Sequence, residues 1–265
     1  MSYISQLMQR KYREKQVVQK ASTREGPRKR VSVNVEPHIV TLTQPSSPAA
    51  EEYRILRTTL SRLGAKKPLK TVMITSAGAQ EGKTLTSVNL AVAMAQGTGQ
   101  RILLADCDLR RGRVHELLGV EPDEGLGDVL LNGTDLSAAL YDTSVENLTV
   151  LPCGRYPANP AELLGSQKMN GLIAQLKLQF SLCIFDTPPA LALTDAAVLA
   201  SQADGVILVV QAGKTTCEAV EEAGRVLTQA HANVLGFILV GVEEPGPGYA
   251  YRYHRQASKA DGRAS

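Results

Sequence analysis

Apolar positions along this chain fall into two rhythms. Uninterrupted apolar runs such as Val206-Ile207-Leu208-Val209-Val210 lack the alternation of a half-wetted strand and are expected where both faces of a sheet are covered. They predict strands at 70–76, 101–106, 147–152, 181–186, 204–210 and 234–241. Between them, helices are predicted at 49–63 (ended by Gly64), 84–96, 167–179, 194–201 and 215–230. Strand–helix alternation over this length gives an α/β fold: a mostly parallel central sheet with helices on both faces and right-handed crossovers.

The ends of the chain break both rhythms. Residues 1–47 read as a basic, largely flexible segment. Within it Ile4, Leu7, Met8 and Tyr12 recur at helical spacing beside Arg10, Lys11, Arg13 and Lys15. That fits either a short amphipathic helix over 3–19 or a solvated charge run. From Ala21 to Pro48 the polar, proline-interrupted sequence reads as a linker. The folded domain is expected over 48–244, and 245–265 as a flexible tail carrying Tyr249, Tyr251 and Tyr253.

Composition narrows the class. The chain has 265 residues, 43% apolar and 21% charged, ordinary for a soluble globular protein. No apolar run approaches the ~18 residues of a membrane span, and the N-terminus lacks a signal-peptide core. Cys107, Cys153, Cys183 and Cys217 are scattered without metal-site spacing, so a zinc framework or disulfide scaffold is not expected and a reducing cytoplasm fits. Residues 1–35 hold nine Lys/Arg against Glu14 and Glu25, so the net +3 resides in the first segment and the remaining body is slightly acidic. The basic segment suits an anionic membrane surface or an acidic partner. No nucleic-acid recognition motif accompanies it.

The chemistry begins at Ala77-Gly78-Ala79-Gln80-Glu81-Gly82-Lys83-Thr84, between a predicted strand and a predicted helix. This is a phosphate-binding P-loop with Ala77 where glycine is commoner. The backbone N–H groups of Ala79, Gln80, Glu81, Gly82, Lys83, Thr84 and Leu85, with the helix N-terminus, form an anion cradle. Lys83 reaches the β- and γ-phosphates, and the Thr84 hydroxyl can ligate Mg²⁺. Asp106 and Asp108, two apart at a strand end, are expected to share one face on the P-loop edge of the sheet. Paired like charges call for a cation. A third carboxylate, Asp186, ends the apolar run Leu182-Cys183-Ile184-Phe185 in the Walker B manner. ATP with Mg²⁺ is the expected ligand.

The chain resembles the bacterial protein-tyrosine kinases of capsule and exopolysaccharide synthesis, in their stand-alone form, over about residues 49–253. The resemblance is carried by Ser76 to Thr84, by Asp106-x-Asp108-x-Arg110-Arg111 (the family's Walker A′), and by Phe185-Asp186-Thr187-Pro188-Pro189 with Thr194-Asp195-Ala196. Gly125 to Leu130, Asn159 to Leu164 and Glu51-x-x-Arg54-x-x-Arg57 add to it.

The resemblance implies a MinD/ParA-like P-loop architecture and ATP-dependent autophosphorylation of tail tyrosines in trans. In this scheme Lys83, Asp106 and Asp108 are catalytic, Thr84, Asp106 and Asp186 hold the metal, and Glu51, Arg54 and Arg57 mediate ring-like self-assembly. It further implies a membrane-embedded chain-length regulator as activator, a phosphotyrosine phosphatase, and recruitment to the inner face of the membrane. Val240 stands where the family commonly has a base-contacting Asn, so adenine recognition is less firmly implied than phosphate binding. The alternative is a MinD/ParA-like assembly or positioning ATPase, but those carry a second lysine early in the loop, where this chain has Gly78.

Overall fold

In the computed structural model the described residues are 29–31 and 36–242. The predicted helix over 3–19 and the tail tyrosines Tyr249, Tyr251 and Tyr253 lie outside them. The chain enters through β1 (Lys29–Val31), α1 (Val40–Thr43), α2 (Pro48–Lys66), β2 (Thr71–Ser76) and α3 (Lys83–Thr98). It continues through β3 (Ile102–Asp106), α4 (Val114–Leu118), α5 (Leu126–Asn132), α6 (Leu136–Ala139), β4 (Tyr141–Thr143) and β5 (Leu148–Leu151). The last third is α7 (Pro160–Leu164), α8 (Gln167–Gln179), β6 (Leu182–Asp186), α9 (Thr194–Ala200), β7 (Gly205–Gln211), α10 (Cys217–Gln229) and β8 (Val234–Val240).

The strands form one sheet in the order β1-β4-β5-β3-β6-β2-β7-β8. Every neighbouring pair is parallel except β4–β5. Successive side chains point to opposite faces, so the all-apolar strands feed two cores at once. On one side Met73, Leu103, Phe185 and Leu208 pack with α8 residues such as Ile173. On the other Val72, Ile74, Leu104 and Ile184 pack against Val88 and Val92 of α3. Helix α3 is buried without a break from Thr86 to Ala95, because the sheet lies beneath it and α1 and α2 above. No helix among the described residues is long and apolar enough to cross a membrane.

Three sequence-based expectations need correction. The stretch from Ala21 to Pro48 is not wholly a linker, and the domain does not begin at 48. Ile39 is completely buried in the core under α1, and Thr41 donates from both N–H and hydroxyl to Asn89 Oδ1 at 3.1 and 3.0 Å. Ile39, with Leu42 packed partly buried against the same core, docks an otherwise polar, proline-interrupted stretch. Helix α2 starts where expected, with Pro48 in its first turn and the Ser47 hydroxyl accepting from Ala50 N–H, but runs past Gly64 to Lys66. Finally β8, although apolar throughout, is the sheet's edge, and Phe237 and Leu239 are exposed there.

Candidate active site

Strands β2, β3, β5, β6, β7 and β8 deliver their C-terminal ends to one edge of the sheet, while β1 and β4 run the other way, and the sequence-predicted residues of the core site collect at that edge. The P-loop leaves β2 at Ser76, whose hydroxyl donates to the Gly78 carbonyl at 2.7 Å. The buried Glu81 carboxylate reaches back to accept Gly78 N–H at 2.9 Å. Glu81 therefore contributes its side chain to the loop's own shape, leaving its backbone for a ligand. Gly82 caps α3 at φ 84°, in the left-handed region a side chain resists. The first-turn N–H groups that follow, on Lys83, Thr84 and Leu85, have no intrahelical acceptor and are free to face an anion.

Asp106 and Asp186 are partners in the β3–β6 ladder, side by side at the two strand ends, and both are completely buried. Burial, reinforced by the negative charge of Asp186, pushes the Asp106 carboxyl well above the usual carboxylate range. Its oxygens accept from Asp108 N–H at 3.1 Å and Val114 N–H at 3.0 Å. Asp186 is pushed up to about 6, first by burial, with Lys83, Thr84 and Ser87 countering part of the rise. Ser87 donates to Asp186 Oδ1 at 3.0 Å, while Oδ2 is buried without a hydrogen-bond partner.

Asp108 arrives by a different route from the one expected. Strand β3 ends at Asp106, so two-residue strand alternation does not place Asp108. A turn does: Asp108 Oδ1 accepts from Arg110 and Arg111 N–H at 3.2 and 2.9 Å, and Oδ2 lies 3.6 Å from Lys83 Nζ. Lys83 is thus anchored at the carboxylate cluster. Three acids, one lysine and a row of helix-start amides make a site that can hold polyphosphate with a hard cation. The orphaned Asp186 Oδ2 and the all-oxygen donor set fit Mg²⁺.

Contacts between distant segments complete the frame. Arg110 grips the buried Asp195 carboxylate with two hydrogen bonds, at 2.8 and 3.1 Å, tying the loop after β3 to the start of α9. Lys214, beyond the end of β7, donates to the P-loop carbonyls of Ala79 and Gln80 at 3.0 and 2.8 Å. A basic residue just past a strand's C-terminal end was the only trace of it in the sequence. Val240 closes against the P-loop, since a methyl on Gly82 would lie 3.3 Å from its Cγ2.

The self-assembly candidates sit apart from this site, on α2. Arg54 pairs with Glu51 at 2.6 Å on the exposed face. Arg57 instead turns inward, donating to the Ala93 carbonyl at 3.2 Å and filling a notch left by Gly97, where any Cβ would collide with its guanidinium.

The "AAA domain" family model matches residues 70–234. The chain is 39% identical over 214 residues to the tyrosine-protein kinase YwqD of Bacillus subtilis, covering 81% of this chain and 90% of that one. It is 34% identical to the tyrosine-protein kinase wzc of Salmonella typhimurium, covering 84% of this chain but 31% of the larger protein. Among solved structures, the kinase domain of the Escherichia coli tyrosine kinase ETK superposes with a TM-score of 0.75 at 34% identity, covering 78% of this chain and 81% of that one. The septum site-determining protein MinD of Pyrococcus horikoshii, complexed with Mg-ADP, matches with a TM-score of 0.57 at 29% identity over 66% and 72% of the two chains.

Proposed function

This chain belongs to the bacterial protein-tyrosine kinases, and from that membership we propose that it moves the γ-phosphoryl group of ATP onto Tyr249, Tyr251 and Tyr253 of another copy's tail, with Mg²⁺ as counter-ion. The enzyme is a nucleotide-using protein-tyrosine kinase; acceptor, metal and direction of transfer are the proposal. The observation that carries it is the packing of Lys83 Nζ 3.6 Å from Asp108, beside the paired Asp106 and Asp186, at the mouth of the P-loop.

Lys83 and the amides that open α3 bind the phosphates and hold negative charge as it redistributes in transfer. Thr84 and Asp186, with Asp106 or Asp108, would hold Mg²⁺, which when bound neutralises the β- and γ-oxygens. The remaining aspartate orients the acceptor hydroxyl, a role we assign to Asp106. In the transfer, the bond from the γ-phosphorus to the bridging oxygen of ADP breaks as the phenolic O–P bond forms. A carboxylate's ordinary pKa is ~4 against ~10 for a phenol, and bound cations would offset the burial and the Asp186 charge that raise Asp106, so the carboxylate is the weaker base and the proton leaves late, as the new bond acidifies the oxygen. Asp106→Asn should retain ATP binding and lose most transfer.

In the cell we place this activity in control of capsule or exopolysaccharide polymerisation and export. A membrane-embedded chain-length regulator would recruit and activate the kinase, and a phosphotyrosine phosphatase would oppose it. Glu51, Arg54 and Arg57 would join copies into a ring. The exposed Glu51 and Arg54 support that role more directly than Arg57, which is engaged within its own subunit. The alternative of a positioning ATPase has less support, since Gly78 replaces the second lysine such proteins carry.

The test is a mixing experiment with γ-labelled ATP and mass spectrometry. A Lys83→Met chain with its tail intact is combined with an active chain bearing Phe at 249, 251 and 253. Label on the Lys83→Met tail establishes tyrosine transfer between copies. Released phosphate without labelled tyrosine would overturn the scheme in favour of an ATPase.

A further inference from the structure

On the β5 side of Asp106, opposite the side where β6 carries Asp186, lie two donors that the kinase scheme leaves unused, His115 and Cys153. One ring nitrogen of His115, Cys153 Sγ and a carboxylate oxygen of Asp106 all lie within 4.8 Å of one another. They come from three segments of the same sheet edge: Asp106 from the end of β3, His115 from α4, and Cys153 from just beyond β5, which pairs with β3. Gly112 shows how closely they converge. A methyl placed on it would lie 2.6 Å from both Asp106 Oδ2 and Cys153 Sγ. Asp106 and Cys153 are buried, and His115 Nδ1 is a buried polar atom with no partner. Tyr156 covers the group, 54% exposed, with its hydroxyl 3.9 Å from the sulfur, so the cluster lies one side chain from solvent.

We propose that Asp106, His115 and Cys153 form a zinc site whose occupation withdraws Asp106 from phosphoryl transfer. One thiolate, one imidazole and one carboxylate are the ligand types zinc takes, and three protein ligands leave its fourth tetrahedral position to water. The donors, all within 4.8 Å of one another, would draw in to the roughly 2.0–2.3 Å bond lengths of a tetrahedral ion as it binds. Sulfur and nitrogen select against Mg²⁺, which belongs with the oxygen donors on the opposite flank. Asp106 thus stands between a hard-cation site and a borderline-soft one. Binding replaces the thiol proton, which leaves to solvent. The zinc-bound form cannot offer that carboxylate to the acceptor tyrosine, so zinc inhibits. Inhibition rests on the role proposed above for Asp106; binding does not.

The full chain, stripped of metal, is titrated with zinc chloride against a chromophoric chelator, and separately with cobalt(II). The expected result is one zinc per chain and a thiolate-to-cobalt charge-transfer band. Outer-shell changes already cost zinc sites roughly 10–100-fold, so Cys153→Ser should weaken binding more than about 100-fold and abolish the band. His115→Gln should weaken binding as well, while Cys217→Ser, which alters an exposed thiol, should not. In wild type, zinc should also shield Cys153 from alkylation, read by peptide mass spectrometry, which decides the matter even if Cys153→Ser does not fold. Unchanged zinc affinity in Cys153→Ser, or an alkylation rate at Cys153 indifferent to zinc, overturns the site. Zinc bound with tail phosphorylation undiminished overturns the inhibitory role and, with it, the part given to Asp106.

Discussion

Asp186→Asn should make the protein more stable while disabling it. In the ligand-free enzyme this carboxyl, completely buried, is pushed from 3.8 up to about 6, chiefly by burial. A folded-state value above the unfolded one means that the native state binds the proton more tightly. The stabilisation this gives is complete below about pH 4 and is lost as pH rises through about 6. At roughly 1.4 kcal/mol per pH unit, keeping Asp186 ionised at neutral pH costs about 3 kcal/mol. Asparagine removes that cost and can still accept the Ser87 hydrogen bond. It also relieves Asp106, which the charge on Asp186 helps to push up.

The assay is urea denaturation of wild type and variant, without metal or nucleotide, from pH 4 to pH 8. The difference between them should be near zero at pH 4 and grow to about 3 kcal/mol in favour of the variant above pH 7. Added Mg²⁺ and ADP should narrow the gap by stabilising wild type, and tail phosphorylation by the variant should fall. A difference that stays flat across pH, or an asparagine variant less stable at pH 7.5, would refute this electrostatic account.

Other perturbations reach other parts of the frame. Arg110→Ala leaves Asp195 charged, buried and unpaired, and should cost about 3 kcal/mol in urea unfolding; a loss below ~1 would mean water takes the arginine's place. Ile39→Ala should destabilise the whole domain by about 2–5 kcal/mol, read from the global melting transition, if residues 36–47 belong to it as their burial indicates. Lys214→Ala removes two hydrogen bonds to the outer turn of the P-loop. It should raise KM for ATP several-fold in steady-state kinetics while changing stability by under about 1 kcal/mol.

What the sequence disclosed was whatever is contiguous. The P-loop is one unbroken segment, and Asp106 and Asp186 each end an apolar run, so strand position alone sent them to the ligand edge. Asp108 was expected there for the wrong reason, because strand periodicity does not extend into the turn that holds it. Lys214, the Arg110–Asp195 clasp and the Asp106–His115–Cys153 group each join segments far apart in the chain, and no spacing rule registers such pairs. Ile39 was hidden because the apolar positions around it, Val40 and Leu42, make too short a pattern to stand out among the surrounding polar residues and prolines. Exposure of β8 was hidden by its own composition, since an apolar strand at the margin of a sheet reads like one at its centre.

Because Asp106 and Asp186 occupy one rung of adjacent strands, the interval between their backbones is the sheet's own repeat, about 4.8 Å. The spacing of the backbones that carry the two proposed metal-holding acids is therefore set by main-chain hydrogen bonds rather than by side-chain packing. A slip of one residue in either strand would turn one of the acids to the far side of the sheet, so alignment deep in the core and competence at the rim are a single property.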